Sequence, residues 1–273
     1  MGSIITVAVA QICTRQQVSE NIDRSEHLVE QACRRGAQLV VLPENFPYIG
    51  QLAEKLGMAE PLSQERPGPI LGRMTQLARR LGIHLLLGGI PIASERADRF
   101  YNTAVLLGPA GQILASYRKI HLFDINIVGG AVFTESAFVL PGEEVVVADL
   151  LGAKLGLSIC YDLRFPELYR EMARLGANLM AIPAAFTLHT GKDHWFPLLR
   201  ARAIENQTYV LAAAQHGRHT EQRQSYGKAC IIDPWGAVLA QAPDRDCVAL
   251  ADLDLTYLKQ VRRELPCLEH RRL

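Results

Sequence analysis

Leu157-Ser158-Ile159-Cys160-Tyr161-Asp162-Leu163-Arg164-Phe165-Pro166-Glu167-Leu168 is the stretch on which the fold of this chain turns. The run Lys154 to Ile159 is apolar and short enough to be a buried strand. Pro166 with Glu167 behind it reads as the first turn of a helix. Cys160 therefore falls where a strand stops and a helix is about to begin. In open α/β sheets ligands bind at that edge, and the N–H groups just past it can face an anion. On residue type alone, a cysteine after an apolar run is a small core residue. Its partners elsewhere in the chain change that reading.

Outward from this point the pattern repeats. Apolar runs at Ile4 to Gln11, Ala37 to Leu42, His84 to Ile92, Ala177 to Ile182 and Thr208 to Gln215 read as buried strands. Helical spacing covers Val18 to Arg35, Pro69 to Leu81, Glu167 to Leu175 and Lys192 to Asn206, with Pro197 limiting how far upstream the last of these bonds regularly. The first three of these helices stop at Gly36, Gly82 and Gly176. Gly108-Pro109-Ala110-Gly111 and Asp233-Pro234-Trp235-Gly236 mark two hairpins. Gly88-Gly89 inside a strand lets backbone or ligand approach closely. His216 to Ser225 reads as a polar loop, and a last strand from Cys247 leads into a helix ending at Glu264. Helices alternating with strands, with hairpins mixed in, predict an α/β fold with mixed sheets rather than a pure parallel barrel.

The 273 residues, 49% hydrophobic and 21% charged, fit a globular protein. No Ser/Gly-rich linker divides them, so residues 1–273 are expected to form a single domain. A net charge of +1 gives no reason to expect a nucleic-acid or membrane partner. Cys13, Cys33, Cys160, Cys230, Cys247 and Cys267 contain no C-x-x-C pair, so neither a disulfide framework nor a zinc site is predicted. Thiols inside apolar runs suit a reducing cytoplasm. Met1-Gly2-Ser3 leads straight into a strand-like run, with no signal-peptide pattern behind it. His216-Gly217-Arg218-His219 has the look of a metal pair but no third ligand spaced to match, and reads as a solvated loop.

Three strand ends carry chemistry. Ala37 to Leu42 delivers Glu44, Gln112 to Tyr117 delivers Lys119, and Lys154 to Ile159 delivers Cys160. A nucleophile, an acid/base and a cation are the parts that acyl transfer needs. The prediction is that all three meet at a common rim of the sheet.

Leu42-Pro43-Glu44-Asn45, Tyr117-Arg118-Lys119-Ile120-His121-Leu122 and the stretch from Ser158 to Glu167 resemble the three signatures of the nitrilase (carbon–nitrogen hydrolase) superfamily. The resemblance implies a four-layer α-β-β-α sandwich and a Glu44–Lys119–Cys160 triad. It also implies a second glutamate, Glu135 in Thr134-Glu135-Ser136, that orients Lys119 and Glu44. Such proteins use no metal or cofactor and stack as homodimers or higher homo-oligomers. Thr190 to Trp195, Arg200 to Asn206, Ser225-Tyr226-Gly227 and Asp233-Pro234-Trp235-Gly236 resemble the deaminated glutathione amidase branch, relatives of the ω-amidases. The loop from Phe123 to Gly130 departs from that branch toward ω-amidase wording.

The reaction so implied is hydrolysis of a small-molecule amide of a 2-oxo acid. Cys160 attacks as a thiolate favoured by Lys119. Glu44 is the general base, and Lys119 with the backbone N–H of Tyr161 receives the oxyanion. A crowd of like charges would raise the pKa of one carboxyl. Tyr48, Arg164, Phe186, Thr187 and Thr190 are the candidates to hold the substrate, Arg164 or the hydroxyls taking its carboxylate. Arg202 and Glu205, three apart on one helix, are expected to pair beneath the site. The tail from about residue 256, with Arg262-Arg263 and Arg271-Arg272, is expected to be solvated or in a subunit contact. The competing readings are an ω-amidase acting on 2-oxoglutaramate, a nitrilase acting on small nitriles, a Cys–His hydrolase dependent on a histidine, and a scaffold that keeps the fold without the activity.

Overall fold

Side-chain alternation along the strands sets the layers. Val7 and Val9 join one apolar core, while Ala8 and Ala10 between and beyond them join another. Leu39 and Val41 split from Val40 and Leu42 in the same way, as does Leu86 from Leu85 and Leu87. Successive strand residues point to opposite faces, so this sheet is covered on both sides. That is why its strands read as unbroken apolar runs. Helices Val18–Arg34 and Pro69–Leu81 cover one face. The other face shares its core with a second sheet and with helices Pro166–Arg174 and Leu188–Asn206. Gly156 of the second sheet faces Met172 of its helix, so Leu155 and Leu157 turn the other way, toward the first sheet. The layers run α-β-β-α, as the resemblance implies. This computed structural model describes residues 4–126 and 132–272; part of the Phe123 to Gly130 loop lies outside them.

Among the described residues the first sheet has nine strands, seven on a path from Gln224–Tyr226 through Ala214–Arg218, Ile4–Ile12, Leu39–Val41, His84–Ala93 and Phe100–Leu107 to Ile113–Arg118. Cys247–Asp254 lies antiparallel along Ile4–Ile12, and Val139–Leu140 sits beside Phe100–Leu107. The second sheet runs Val238–Gln241, Cys230–Ile232, Tyr209–Ala212, Leu179–Ala181, Ala153–Leu157, Val147–Leu150. Each mixes parallel and antiparallel pairs.

Four expectations are corrected. The run Thr208 to Gln215 is two strands: Tyr209–Ala212 pairs in the second sheet and Ala214–Arg218 in the first. Ala212-Ala213-Ala214, all buried, carry little side chain to place where the chain crosses over. His216 to Ser225 is no polar loop but a hairpin, with His216 paired to Tyr226. The helix expected from Lys192 begins at Leu188, capped by Thr187. Pro197 and Asp193 are both exposed, so the carbonyl that Pro197 leaves unbonded faces water. Arg262 is drawn inward instead of solvated, donating to the carbonyls of Ala177 at 2.8 Å and Gln207 at 3.1 Å. No helix among the described residues is long and apolar enough to cross a membrane.

Candidate active site

The reactive side chains come from both sheets, not from one rim. Glu44 follows Leu39–Val41 and Lys119 follows Ile113–Arg118 in the first sheet; Cys160 follows Ala153–Leu157 in the second. The two sets of strand ends meet because of Gly88. A β-carbon there would lie 2.0 Å from the Leu42 carbonyl oxygen and 2.5 Å from Cβ of Pro183, so any other residue would push the two sheets' ends apart.

Glu44 (3% exposed), Lys119 (2%) and Cys160 (8%) line a cavity of about 820 Å³ together with Glu135. Lys119 Nζ donates to Glu44 Oε1 at 3.1 Å and to Glu135 Oε2 at 2.8 Å. The Cys160 thiol lies beside the Glu44 carboxylate, whose charge acts on it. Glu44 Oε2 accepts the Ala185 N–H at 3.1 Å, so the carboxyl is fixed from both sheets. Asn102 Nδ2 bridges the two carboxylates, 3.0 Å from Glu44 Oε1 and 3.3 Å from Glu135 Oε1.

These contacts decide the resting protonation. Burial alone would raise the Glu44 carboxyl, but the Lys119 ammonium and then the neighbouring Cys160 thiol outweigh it and hold Glu44 below its ordinary 4.5. Crowding of carboxylates therefore does not raise Glu44, since Lys119 stands between it and Glu135. Burial and then the Glu44 charge push the Cys160 thiol well above 9.0, against a smaller pull from Lys119. Lys119 remains an ammonium despite its burial, because Glu135 and Glu44 raise it. These directions favour a neutral thiol beside an ionised carboxyl. Lys119 favours the thiolate, but less strongly than burial and Glu44 oppose it, so the proton passes to Glu44 as the sulfur attacks. The ultraviolet absorbance difference between wild type and Cys160→Ala should show no thiolate below about pH 9; a thiolate band at neutral pH would contradict this assignment.

Asp162 ties the nucleophile to the lysine segment. Cys160 has φ 51°, left-handed for a residue with a side chain, in the turn from strand to the 3-10 helix Cys160–Arg164. Fully buried Asp162 accepts from Ile159 N at 2.8 Å, Tyr117 Oη at 2.7 Å and His121 N at 3.0 Å, and meets His121 Nδ1 at 2.7 Å. One carboxylate thus fixes the residue before Cys160 and the residues two positions before and after Lys119. Below it Arg202 pairs with Glu205 at 2.8 Å and donates to the Leu163 carbonyl at 2.8 Å, pinning the same turn.

Tyr161, Arg164, Phe186, Thr187 and Thr190 also line the cavity. The Arg164 guanidinium lies 5.1 Å from the Phe186 ring and 3.2 Å from His194 Nδ1. Thr187 also caps its helix, accepting from Thr190 N. Tyr48 stands apart: it is buried, its hydroxyl goes to Glu54, and it is not among the cavity's lining residues. His219 is buried and bonded to Thr14 O and Ser225, and His216 pairs with Asp246, so neither belongs to a solvated loop. Among the described residues no cluster of His, Cys, Asp and Glu is arranged to hold a metal.

Sequence reading missed Asn102, Asp162 and Lys55. The signal for the first was a polar pair, Asn102-Thr103, inside the buried strand Phe100–Leu107.

The sequence model of the family described as carbon-nitrogen hydrolase matches residues 6–263. The chain belongs to the carbon-nitrogen hydrolase family. This hydrolase is similar to a deaminated glutathione amidase of Synechocystis, 47% identical over 269 residues that cover 97% of each chain. The Homo sapiens deaminated glutathione amidase is 45% identical to it over 97% of this chain and 82% of that one. Nit3 of Saccharomyces cerevisiae, a member of branch 10 of the nitrilase superfamily, matches its fold with a TM-score of 0.89 and 31% identity, covering 99% and 97% of the chains. A Nesterenkonia amidase matches with a TM-score of 0.79 and 28% identity over 96% and 98%. That protein's structure shows acrylamide added at its active site cysteine.

Proposed function

We propose that this hydrolase cleaves deaminated glutathione, a 2-oxo-acid amide, to 2-oxoglutarate and Cys-Gly through a thioester on Cys160. The observation that carries the reaction is that Cys160, Glu44 and Lys119 line one cavity, with Lys119 bonded to Glu44 at 3.1 Å. The substrate rests on similarity along nearly the whole chain to relatives bearing that name.

Glu44 takes the thiol proton as Sγ attacks the amide carbonyl carbon. An ammonium has three N–H donors, and Lys119 commits two of them to Glu44 and Glu135. The third, with the Tyr161 N–H, receives the oxyanion. Glu44 returns the proton to the departing nitrogen, the C–N bond breaks, and the acyl group remains on sulfur. Glu44 then takes a proton from water. The resulting hydroxide adds to the thioester, the C–S bond breaks, and Glu44 gives that proton to Sγ. Glu135 and Asn102 hold Lys119 and Glu44 in place. Arg164, Phe186, Thr187 and Thr190 form the acyl-side wall, where Arg164 meets the 2-oxo acid's carboxylate.

The test is turnover of purified enzyme on deaminated glutathione and on 2-oxoglutaramate. A higher kcat/KM for deaminated glutathione is expected; a preference for 2-oxoglutaramate would assign an ω-amidase instead.

All six cysteines are free, which suits a reducing cytoplasm. Trp235 is 61% exposed and Ile204, which lies against the neighbouring Gly236, is 52% exposed. With exposed Leu265 nearby on the C-terminal tail, they supply an apolar face for self-association. Trp235→Asp should lower the sedimenting mass; an unchanged mass would rule that face out.

A further inference from the structure

Lys55 is a buried cation that the reaction leaves unused. It lies in the short helix Leu52–Leu56, is 5% exposed and lines the cavity. Its Nζ donates to Asn45 Oδ1 at 2.5 Å, and among the described residues it forms no ion pair with a carboxylate. Arg223, half-buried in the turn between strands Ala214–Arg218 and Gln224–Tyr226, lines the same cavity, and its guanidinium likewise has no carboxylate partner among the described residues. Two cations so placed repel each other. Burial first, then Arg223, and less so Lys119 bring the Lys55 ammonium down to about 7, although Glu44 and Glu135 pull the other way. The remaining charged residues on the cavity wall are Arg164 and exposed Glu221. A buried cation without a counter-charge is costly, and an anion entering the cavity would supply one.

Position indicates which part of the substrate arrives there. Glu44 protonates the departing nitrogen, so the amine leaves along the wall made by Glu44 and its neighbour Asn45. Lys55 is bonded to that Asn45. Arg164 instead follows Cys160 in the nucleophile's own turn, on the acyl side. Resting on the reaction proposed above, we infer that Lys55 and Arg223 together receive a terminal carboxylate on the leaving amine. The site is therefore built for amides whose amine is an acidic-ended fragment such as a dipeptide. Deaminated glutathione carries a carboxylate on each side of its scissile amide, and the cavity wall offers Arg164 as well as Lys55 and Arg223 to hold them.

The test compares kcat/KM for 2-oxoglutaryl-Cys-Gly with that for the same compound whose glycine carboxylate is capped as a carboxamide. Wild type should favour the free acid on the order of 10–100-fold, the range of hydrogen bonds to a charged group, with the difference in KM. In Lys55→Met, and separately in Arg223→Gln, that preference should shrink toward one. A structural role for Lys55 through Asn45 would slow both substrates alike and leave the preference intact, overturning the inference. Equal rates on both substrates in wild type would also overturn it while leaving the amidase reading standing. Hydrolysis of neither would remove both.

Discussion

Glu44→Gln should lower kcat for amide hydrolysis about 10⁴-fold, the top of the range for general acid–base catalysis. The size follows from one carboxyl serving every proton transfer. It takes the thiol proton, gives it to the amine, and activates water, so both thioester formation and thioester release should stop. Glutamine keeps the shape and can still accept the Ala185 N–H that Glu44 accepts at 3.1 Å. It cannot take a proton from a thiol whose own acidity burial has suppressed. Steady-state rates with thermal unfolding of the same preparation measure this. A variant that folds and turns over within about tenfold of wild type would place the base elsewhere.

Lys119→Met should act on stability as well as rate. Removing an oxyanion donor costs roughly 10²–10³ in kcat. The lysine is also buried between two carboxylates, at 3.1 and 2.8 Å. Taking one partner from a buried ion pair typically costs about 3–5 kcal/mol, which should appear as a lower urea midpoint. The pH dependence has a definite sign. Glu44 is held below 4.5, so its pairing stabilises the wild type above that pH and is lost as pH falls through the depressed value. Without the ammonium, Glu44 and Glu135 face each other uncompensated and one must rise. The acid limb of kcat/KM should therefore move to higher pH. A pH profile that keeps the wild-type shape would mean that Lys119 does not set the Glu44 charge.

Much of this was legible before any coordinates. The strand leading to Cys160, the strand before Glu44 and the helix stop at Gly82, which takes φ 64°, follow from local pattern. Less legible was whatever depends on which sheet a strand joins. Thr208 to Gln215 looks like one strand because both halves are buried, and only pairing shows that it serves two sheets. The rim likewise proved to be the meeting of two sheets, a relation carried by Gly88 packing on Leu42 and Pro183. The supporting residues were hidden for a different reason. Asp162 and Asn102 act through bonds to residues 45 and 58 positions away, and sequence spacing is silent at that range. Nothing in the pattern around Lys55 marks it, and only its burial on the cavity wall does.

The central claim is that hydrolysis passes through an acyl group held on Cys160. Adding hydroxylamine during turnover tests it most directly, because the added nucleophile competes with water for that thioester. The ratio of 2-oxoglutaryl hydroxamate to 2-oxoglutarate should be the same whether the leaving amine is Cys-Gly or ammonia, since both routes share one intermediate. A ratio that changes with the leaving amine, or hydroxamate formed by Cys160→Ala at the wild-type rate, would contradict the account.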